Sequence, residues 1–494
     1  MAPKKSLTRL ILSVFPERHP VIFFESFLQP KSSSERVVTS KCKSYKYIHG
    51  KKVHKYNCVI NTLKHAGLVP IKGGIDNRKF VLYWNGHEDA DDLKDMLATQ
   101  KVNHFPLSWH LGRKDLLWTH INRMNRSFPG SFTFTPTSFL LPADEAAFAR
   151  AREDKPNALW ISKPANSSCG RGIHVFKSDS PFKPKQGIIQ KYIKKPLLLE
   201  DRKFDLRIYV LVTSFDPLKI YIYEEGLVRR ATQQYTTSSS SLKTQCIHLT
   251  NYSVNKHSAA YVKAEVDSDE DSDTTASATA PATSKWSLAD LRRHLNSIGV
   301  DFGEIFEKIK ALAVKTIIAA EPVLCSALHR SCNLGSCSDM GLSPYQGCFE
   351  IYGFDVLIDS KLRPWLLEVN VEPSLSSSSP LDKRIKTALV ADTLLCAGVR
   401  VAPSMNFRRA KNVLAIKGEG VGGFGDDEWE IVKDAADEWM RSGGWIPAFP
   451  VAATVEKYSQ LIGTKRYSNA VLERWVLAGG MTLLEPMMKF TQKY

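Results

Sequence analysis

The sequence predicts an α/β protein of two or three domains, and three observations carry this prediction. Residues 204–232 contain two strong β runs, FDLRIYVLVTSF and KIYIYEEGLVRRAT. Residues 303–324 and 381–398 instead show the apolar spacing of helices. The chain has 494 residues, 43% of them hydrophobic, which is enough to bury a large core.

The N-terminal part divides into an arm and a small domain. Residues 1–49 are predicted to be a basic N-terminal arm, partly disordered, because residues 31–55 are basic and polar. Residues 50–106 are predicted to form a small α/β domain. Within it, NCVINTLKHAGLVPI indicates a helix that ends at Gly67, and KFVLYWNG indicates a strand.

Two larger units and a closing segment follow. Residues 107–195 predict a central domain, with a helix at RKDLLWTHINRMNR and then mostly strands. Residues 196–403 predict a C-terminal lobe, in which Ser287 and Asp290 form a capping box at the start of a helix. Residues 264–284 are acidic and then rich in Ser, Thr and Ala, which predicts a disordered insertion. Residues 404–494 predict closing helices.

The segment YGFDVLIDSKLRPWLLEVNVE at 352–372 predicts a metal-binding hairpin. Apolar residues alternate on both sides of a polar break, and Glu368 and Asn370 share one face of the second strand. Asp355, on the partner strand, can face them. Two carboxylates and an amide oxygen suit Mg²⁺ bound to nucleotide phosphates. The alternative is a half-buried hairpin with a few exposed acids, but an unpaired Glu368 would be costly in so apolar a strand.

Two further segments carry groups that suit phosphates. WISKPANSSCGRGIHVF at 160–176 predicts two strands around a glycine loop, with Lys163 at its base. It lacks the GxxxxGK[ST] pattern of a Walker A loop. RKFDLRIYV places Lys203, Asp205 and Arg207 on one strand face, although a solvated sheet edge would read in the same way. The segment between them, IIQKYIKKPLLL, reads as an interdomain hinge. In this order the segments have the layout of an ATP-grasp ligase.

The net charge of +16 indicates an anionic partner. The sequence shows no RNP motif, zinc finger or basic DNA-binding helix, so we expect no nucleic-acid partner. It shows no run of eighteen apolar residues and no secretory signal, so we expect no membrane span. The nine cysteines are scattered, as in a reduced cytosolic protein. Four of them lie between 325 and 348, but their spacing does not favour a zinc site.

The chain resembles the tubulin tyrosine ligase-like family. The resemblance lies in KFDLRIYVLVTSFDPLKIYIYEEGLVRRAT, HLTNYSVNK and YGFDVLID with PWLLEVN. Within that family, NHFP, RKDLLW, YIKKPLLLEDRKFD and LTNYSVNK are most similar to the tubulin polyglutamylases. The resemblance runs from about residue 50 to the C-terminus and includes SGGWIPAFP and RYSNAVLERW.

The resemblance implies roles for individual residues. ATP is expected to contact Lys163, Cys169, Gly170, Gln190, Lys191, Tyr192, Ile193, Lys203, Asp205, Thr250 and Asn251. Free glutamate is expected to contact Arg229, Tyr252, Ser253, Lys285 and Lys386. Mg²⁺ is expected at Asp355, Glu368 and Asn370, and the expected catalytic residues are Arg207, Arg229 and Glu368. Arg207 and Arg229 are cations that suit the carboxylates of the acceptor or of the incoming glutamate.

The chain departs from the family pattern at two positions. Similar enzymes often carry Arg where this chain has Cys169, which puts one phosphate or acceptor contact in doubt. Relatives usually carry Ser or Asn where this chain has Glu372, an extra carboxylate that we expect near the metal. Neither change removes an expected ATP or Mg²⁺ ligand, so we expect an active enzyme.

The expected function is ATP-dependent ligation of free L-glutamate to the γ-carboxylate of a glutamate in a tubulin tail, through an acyl phosphate. The expected partners are tubulin and microtubules, with accessory subunits left open. The expected location is the cytoplasm and cytoskeleton, with cilium, flagellum or basal body as finer alternatives. Three other functions stay open: a glycine or tyrosine ligase of tubulin, a microtubule-binding pseudoenzyme, and a generic small-molecule ATP-grasp ligase. The cations Arg229, Lys285 and Lys386 weigh against glycine, which has no side-chain carboxylate.

Overall fold

The described part of the chain is an α/β structure with four sheets. It comes from a computed structural model that describes residues 7–15, 18–26, 36–40, 44–97, 99–167, 170–182, 185–256, 258, 260–262, 283–331, 346–401 and 423–484. The strands are β1 (Arg9–Ile11), β2 (Val21–Ile22), β3 (Val37–Thr39), β4 (Lys46–His49), β5 (Val69–Pro70), β6 (Leu82–Trp84), β7 (Lys101–Val102), β8 (Ser138–Leu141), β9 (Leu159–Lys163), β10 (His174–Lys177), β11 (Gly187–Lys191), β12 (Leu198–Leu199), β13 (Arg202–Phe215), β14 (Leu218–Arg230), β15 (Lys285–Ser287), β16 (Glu350–Ile358), β17 (Pro364–Asn370) and β18 (Trp445–Phe449). The helices are α1 (Asn57–His65), α2 (Trp109–Gly112), α3 (Lys114–Ser127), α4 (Glu145–Glu153), α5 (Gln245–His248), α6 (Tyr252–Asn255), α7 (Leu288–Ser297), α8 (Phe302–Arg330), α9 (Pro380–Ala397), α10 (Asp426–Met440), α11 (Ala452–Tyr458) and α12 (Tyr467–Leu477).

The largest sheet is antiparallel, in the order β15-β14-β13-β16-β17, with β12 paired to β13 and β18 paired to β14. Its centre is buried on both faces. Even-numbered residues of β13, such as Ile208 and Val210, join a core with α8, while Tyr209 and Leu211 join a core with α9. This alternation follows from the two-residue period of a strand, and it confirms the two predicted β runs.

Two smaller sheets flank the large one. The N-terminal unit is a parallel sheet, in the order β5-β4-β6-β7, with α1 ending before Gly67 at a φ of 82°. This confirms the predicted helix and its end, because glycine adopts positive φ at little cost. The second sheet is antiparallel, in the order β10-β9-β11-β8, and carries the strands predicted at residues 134–191.

The prediction of an arm over residues 1–49 is wrong for the described residues. There, β1, β2 and β3 form a three-stranded sheet, and β4 already belongs to the parallel sheet. Leu10, Ile11, Val21 and Ile22 are buried. These strands have only two to four residues, which is too short to produce a recognisable alternation in the sequence.

The predicted hairpin and caps are confirmed. β16 and β17 pair with Asp355 opposite Glu368 and Gly353 opposite Asn370. Ser287 and Asp290 form the capping box of α7. α9 ends at Gly398, which is left-handed with a φ of 70°.

The closing region is more divided than the sequence predicted. The segment DDEWEIVKDAADEWMRSGGW at 426–445 predicts one helix, which α10 confirms. The segment KYSQLIGTKRYSNAVLERWV at 457–476 predicts a second, which is interrupted between α11 and α12. Residues 459–461 form a 3₁₀ turn there. The strand β18 and the helix α4 were not predicted.

One described helix, α8, is long and apolar enough to cross a membrane by length and composition alone. However, 72% of its most apolar window is buried inside the protein. Its residues Ile305, Ile309 and Ile317 pack against the large sheet. This is the position of a core helix, which passes the same test.

Candidate functional site

A cleft with an open volume of about 680 Å³ lies between the β9–β11 sheet and the large sheet. Most of the residues expected to contact ATP or metal line it. These are Lys163, Gln190, Lys191, Tyr192, Ile193, Lys203, Asp205, Thr250, Asn251, Asp355 and Glu368. Its apolar walls include Ile161, Ile173 and Leu357.

Lys163 is a buried cation at the end of β9. Its Nζ donates to Gln190 Oε1 at 2.7 Å and to the Leu367 carbonyl at 3.4 Å. Burial lowers the pKa of Lys163 to about 8, although the nearby Glu368 acts to raise it. An ammonium group with so little solvation is ready to pair with an anion in the cleft.

Lys203 is a second buried cation, at the start of β13. Its Nζ donates to the His248 carbonyl at 2.9 Å and to the Tyr192 hydroxyl at 3.2 Å, and it lies 4.7 Å from the Tyr192 ring centre. Burial lowers the pKa of Lys203 to about 8. These contacts join the predicted hinge to the segment HLTNYSVNK.

A row of charges crosses three neighbouring strands, because Arg229 pairs in register with Asp205, and Arg207 with Asp355. Arg229 donates to both Asp205 oxygens, at 2.8 and 2.6 Å, and lies 2.8 Å from Asp355 Oδ2. Arg207 donates to Asp355 Oδ1 at 2.7 Å. Burial alone would raise the pKa of Asp355, but the two guanidinium groups hold it well below its ordinary value. Both arginines therefore have carboxylate partners within the protein.

The expected metal ligands lie on paired strands, and their donor chemistry fits a hard divalent cation. Glu368 is paired with the ammonium of Lys114 at 2.9 Å. Asn370 donates to the Gly353 carbonyl at 3.2 Å. Among the described residues, the lining of the cleft includes Asp355 and Glu368 but not Asn370.

Gly170 of the glycine loop packs closely against Val254 and Asn251. Gly170 has a φ of 74°, and a Cβ added there would lie 3.1 Å from Val254 Cγ2 and 3.4 Å from Asn251 Oδ1. Glycine is therefore required for both the conformation and the close approach. Cys169, which was expected to contact ATP, lies outside the described residues.

Arg229, which was expected to bind glutamate, instead pairs with Asp205 and Asp355. Two other residues expected to bind glutamate, Lys285 and Lys386, meet at a carboxylate that the sequence did not single out, Asp382. Lys285 and Lys386 each lie 2.8 Å from it, and Lys285 also lies 4.6 Å from the Tyr252 ring centre. Ser253 follows Tyr252 in α6. Burial alone would raise the pKa of Asp382, but the two lysines lower it to about 2.

Glu372, expected near the metal, lies beside the N-terminal unit. Its Oε1 lies 3.4 Å from His87 Nδ1. Burial alone lowers the pKa of His87, but Glu350 and Glu372 raise it to about 9. The extra carboxylate therefore has a cationic partner away from Glu368.

Sequence reasoning missed Lys114 and Asp382 as site residues. Lys114 lies in the motif RKDLLW and also donates to the Ser167 carbonyl at 3.0 Å, so it joins the glycine loop to Glu368. Asp382 accepts a hydrogen bond from Ser379 and lies in the first turn of α9, where a carboxylate has an ordinary capping role. The sequence pattern of Asp382 is therefore that of a helix cap and does not indicate its contacts with Lys285 and Lys386.

The protein is an α/β protein with a cleft between two sheets. The buried lysines of this cleft favour an anionic ligand. Residues 92–407 match the Tubulin-tyrosine ligase family. The chain belongs to this family, and its fold is the ATP-grasp-like fold that the sequence predicted.

Individual relatives agree with this assignment. The chain is 36% identical over 438 residues to tubulin polyglutamylase TTLL5 of Mus musculus, covering 79% of this chain and 31% of the relative. It is 39% identical over 392 residues to tubulin monoglutamylase TTLL4 of Homo sapiens, covering 79% and 30%. It is 32% identical over 428 residues to tubulin polyglutamylase ttll-4 of Caenorhabditis elegans, covering 81% and 67%. The chain thus spans about a third of the length of the mouse and human relatives.

Proposed function

We propose that this chain is an ATP-dependent glutamate ligase that forms an isopeptide bond between free L-glutamate and a glutamate side chain in an acidic tubulin tail. The observation that carries the proposal is the cleft whose described lining gathers most of the expected ATP and metal residues. The lysine pair at Asp382 adds cations that suit a carboxylate substrate. The names of the relatives, tubulin polyglutamylases and a tubulin monoglutamylase, favour glutamate and tubulin as substrates.

ATP occupies the cleft with its base against the hinge. Tyr192 and Ile193, together with the apolar walls, enclose a flat ring, and the backbone at the end of β11 supplies polar partners. Lys163 and Lys203 hold the phosphates, assisted by the backbone of the loop at Gly170. Asp205 accepts from the ribose hydroxyls.

The carboxylates Asp355 and Glu368, with Asn370, would hold Mg²⁺, which supplies charge neutralisation on the phosphates when bound. Lys114 contacts Glu368 in this structure. When the nucleotide is present, this ammonium is close enough to the glycine loop to serve a phosphate oxygen instead.

The acceptor is a glutamate side chain of the tubulin tail. An oxygen of its γ-carboxylate attacks the γ-phosphorus of ATP, the bond from that phosphorus to the bridging oxygen breaks, and ADP leaves. The guanidinium groups of Arg207 and Arg229, which meet at Asp355, stabilise the developing negative charge.

The amino group of free glutamate then attacks the acyl carbon. Phosphate leaves, the nitrogen loses a proton, and an isopeptide bond remains. Lys285 and Lys386 pair with the carboxylates of the incoming amino acid, and the ring of Tyr252 packs beside it. No protein nucleophile takes part.

The test is a ligation assay with purified protein, ATP, Mg²⁺, microtubules and one radiolabelled amino acid at a time. We expect label from glutamate on the tubulin tails, located by mass spectrometry, and none from glycine or tyrosine. Label from glycine or tyrosine alone would assign a different ligase. Nucleotide binding without any label would support the pseudoenzyme.

The cellular part of the proposal is a location at the cytoskeleton, where tubulin is. A cilium or basal body is the finer alternative. Imaging of the tagged chain beside a tubulin marker and a basal-body marker separates the two. A diffuse signal that ignores both markers would contradict the proposed location.

A further inference from the structure

A cluster of three potential metal ligands lies at the end of α8, outside the cleft. It consists of Asp216, Cys325 and His329, whose ligand atoms all lie within 4.8 Å of one another. Cys325 and His329 are one helical turn apart on α8, and Asp216 lies in the turn between β13 and β14. Carboxylate, thiolate and imidazole are all ligands of zinc.

Asp216 and Cys325 both contact the same ring nitrogen of His329. His329 Nε2 lies 2.8 Å from Asp216 Oδ2 and 3.4 Å from Cys325 Sγ. A tetrahedral zinc site, with bonds of about 2.0–2.3 Å, places its ligand atoms about 3.3–3.6 Å apart. The distance from Cys325 Sγ to His329 Nε2 already matches this spacing, and the imidazole and the carboxylate need a small opening.

The second oxygen of Asp216 has its own donor. Ser468, in the first turn of α12, donates to Oδ1, so that Oδ2 is turned toward His329. Carboxylates that bind metals are commonly oriented by such an outer hydrogen bond. The cluster therefore joins a strand turn, the end of α8 and the start of α12.

The charges around the cluster favour an added cation. Among the described side chains, the buried carboxylates of Asp216 and Glu321 face one guanidinium, that of Arg466. This leaves one negative charge in excess. A divalent metal bound to a thiolate adds one net positive charge and balances it, because the metal contributes two and Cys325 removes one.

The other cluster of this kind among the described residues is built differently. His87, His104 and Glu350 also converge, but both oxygens of Glu350 already accept hydrogen bonds. Their donors are His104, Ser108, Tyr352 and the Phe105 backbone. That carboxylate is saturated, so it needs no metal.

We propose that Asp216, Cys325 and His329 bind a zinc ion that fastens α8 to the β13–β14 turn. Water or a further side chain completes the coordination beside the partly exposed His329. Because Asp216 lies about a hundred residues before the two ligands on α8, metal binding joins distant parts of the chain and adds to the folding free energy.

The test is metal analysis of the purified full chain after dialysis, with Cys325→Ser and His329→Gln as site variants. Cys58→Ser is the matched control, because Cys58 is also buried but donates to the Leu375 carbonyl elsewhere. We expect about one zinc ion per chain in the wild type and the control, and a loss in both site variants. Replacement of zinc by cobalt gives a thiolate charge-transfer band that disappears in Cys325→Ser.

Folding is checked by circular dichroism. Since His329 lies at the surface, His329→Gln keeps its fold and reports on binding even if Cys325→Ser unfolds. Two results overturn the proposal: a wild type that retains no zinc, or zinc that stays bound in His329→Gln.

Discussion

Lys163 and Lys203 hold their protons weakly because burial lowers the pKa of each to about 8. Near neutral pH both are mostly charged in the free protein. Bound phosphates favour the charged forms and raise these pKa values. Nucleotide binding is therefore linked to proton binding within the cleft.

We expect the affinity for ATP to fall as the pH rises from 7 to 9, and ATP binding at pH 8 to take up protons. Isothermal titration in two buffers with different ionisation heats measures this uptake. Lys163→Met should reduce it, since one of the two titrating groups is gone. Equal heats in both buffers would show that neither lysine changes protonation on binding.

Glu368→Gln should abolish ligation, with turnover reduced by about a hundredfold or more, because the cleft loses a carboxylate at the phosphate end. The side chain keeps its volume, so the melting temperature should change little. Glu372→Gln is the control, because Glu372 faces His87 instead. Near wild-type turnover of Glu368→Gln at limiting Mg²⁺ would remove Glu368 from the proposed metal site.

At the scale of elements, α9 carries the anchor of the proposed glutamate pocket. Asp382→Asn should destabilise the protein by about 3–5 kcal/mol, because Lys285 and Lys386 lose a buried partner. The KM for glutamate should rise as well. Urea unfolding and initial rates measure the two effects. The control Asp290→Asn, at the capping box of α7, should cost about 1 kcal/mol and leave the KM unchanged.

The hairpin of β16 and β17 could be predicted because alternation, a polar break and paired acids all lie within one short segment. The strand face of Lys203, Asp205 and Arg207 followed from the same two-residue period. By contrast, β1 to β3 could not be predicted because they are short. β18 could not be predicted because it is a strand only through its pairing with β14, far away in the sequence. Strand pairing across hundreds of residues leaves no local signal.

Local motifs could also be predicted for the site residues, whereas contacts between distant residues could not. Motif positions such as Lys163 and Glu368 could be placed by their order along the chain, and the structure brings them to one cleft. The contacts of Lys114 with Glu368, and of Asp382 with Lys285, join residues far apart in sequence. The sequence contains both partners but does not show that they pair. The pairing depends on how α2 and α9 pack on the large sheet and how α3 packs on α2 and α8.

For the whole molecule, the net charge of +16 is opposite in sign to the acidic tubulin tails that the proposed function gives as the substrate. We expect binding to microtubules to weaken steeply as salt rises, since exposed charge contacts are screened over about 8 Å at physiological ionic strength. Cosedimentation at low and high salt measures this. Tubulin that lacks its acidic tails is the control and should bind less. Binding that ignores both salt and the tails would assign the charge to another partner.

The charge row across β14, β13 and β16 also limits how this sequence can change. Among the described residues, loss of Arg229 leaves Asp205 with no guanidinium partner and Asp355 with one, while loss of Asp355 leaves Arg207 with no carboxylate partner. Each such buried orphan is costly, whereas paired replacements recover part of the loss. Substitutions along the row are therefore strongly epistatic. A substitution at one of these positions is therefore best tolerated when its charged partner is replaced at the same time.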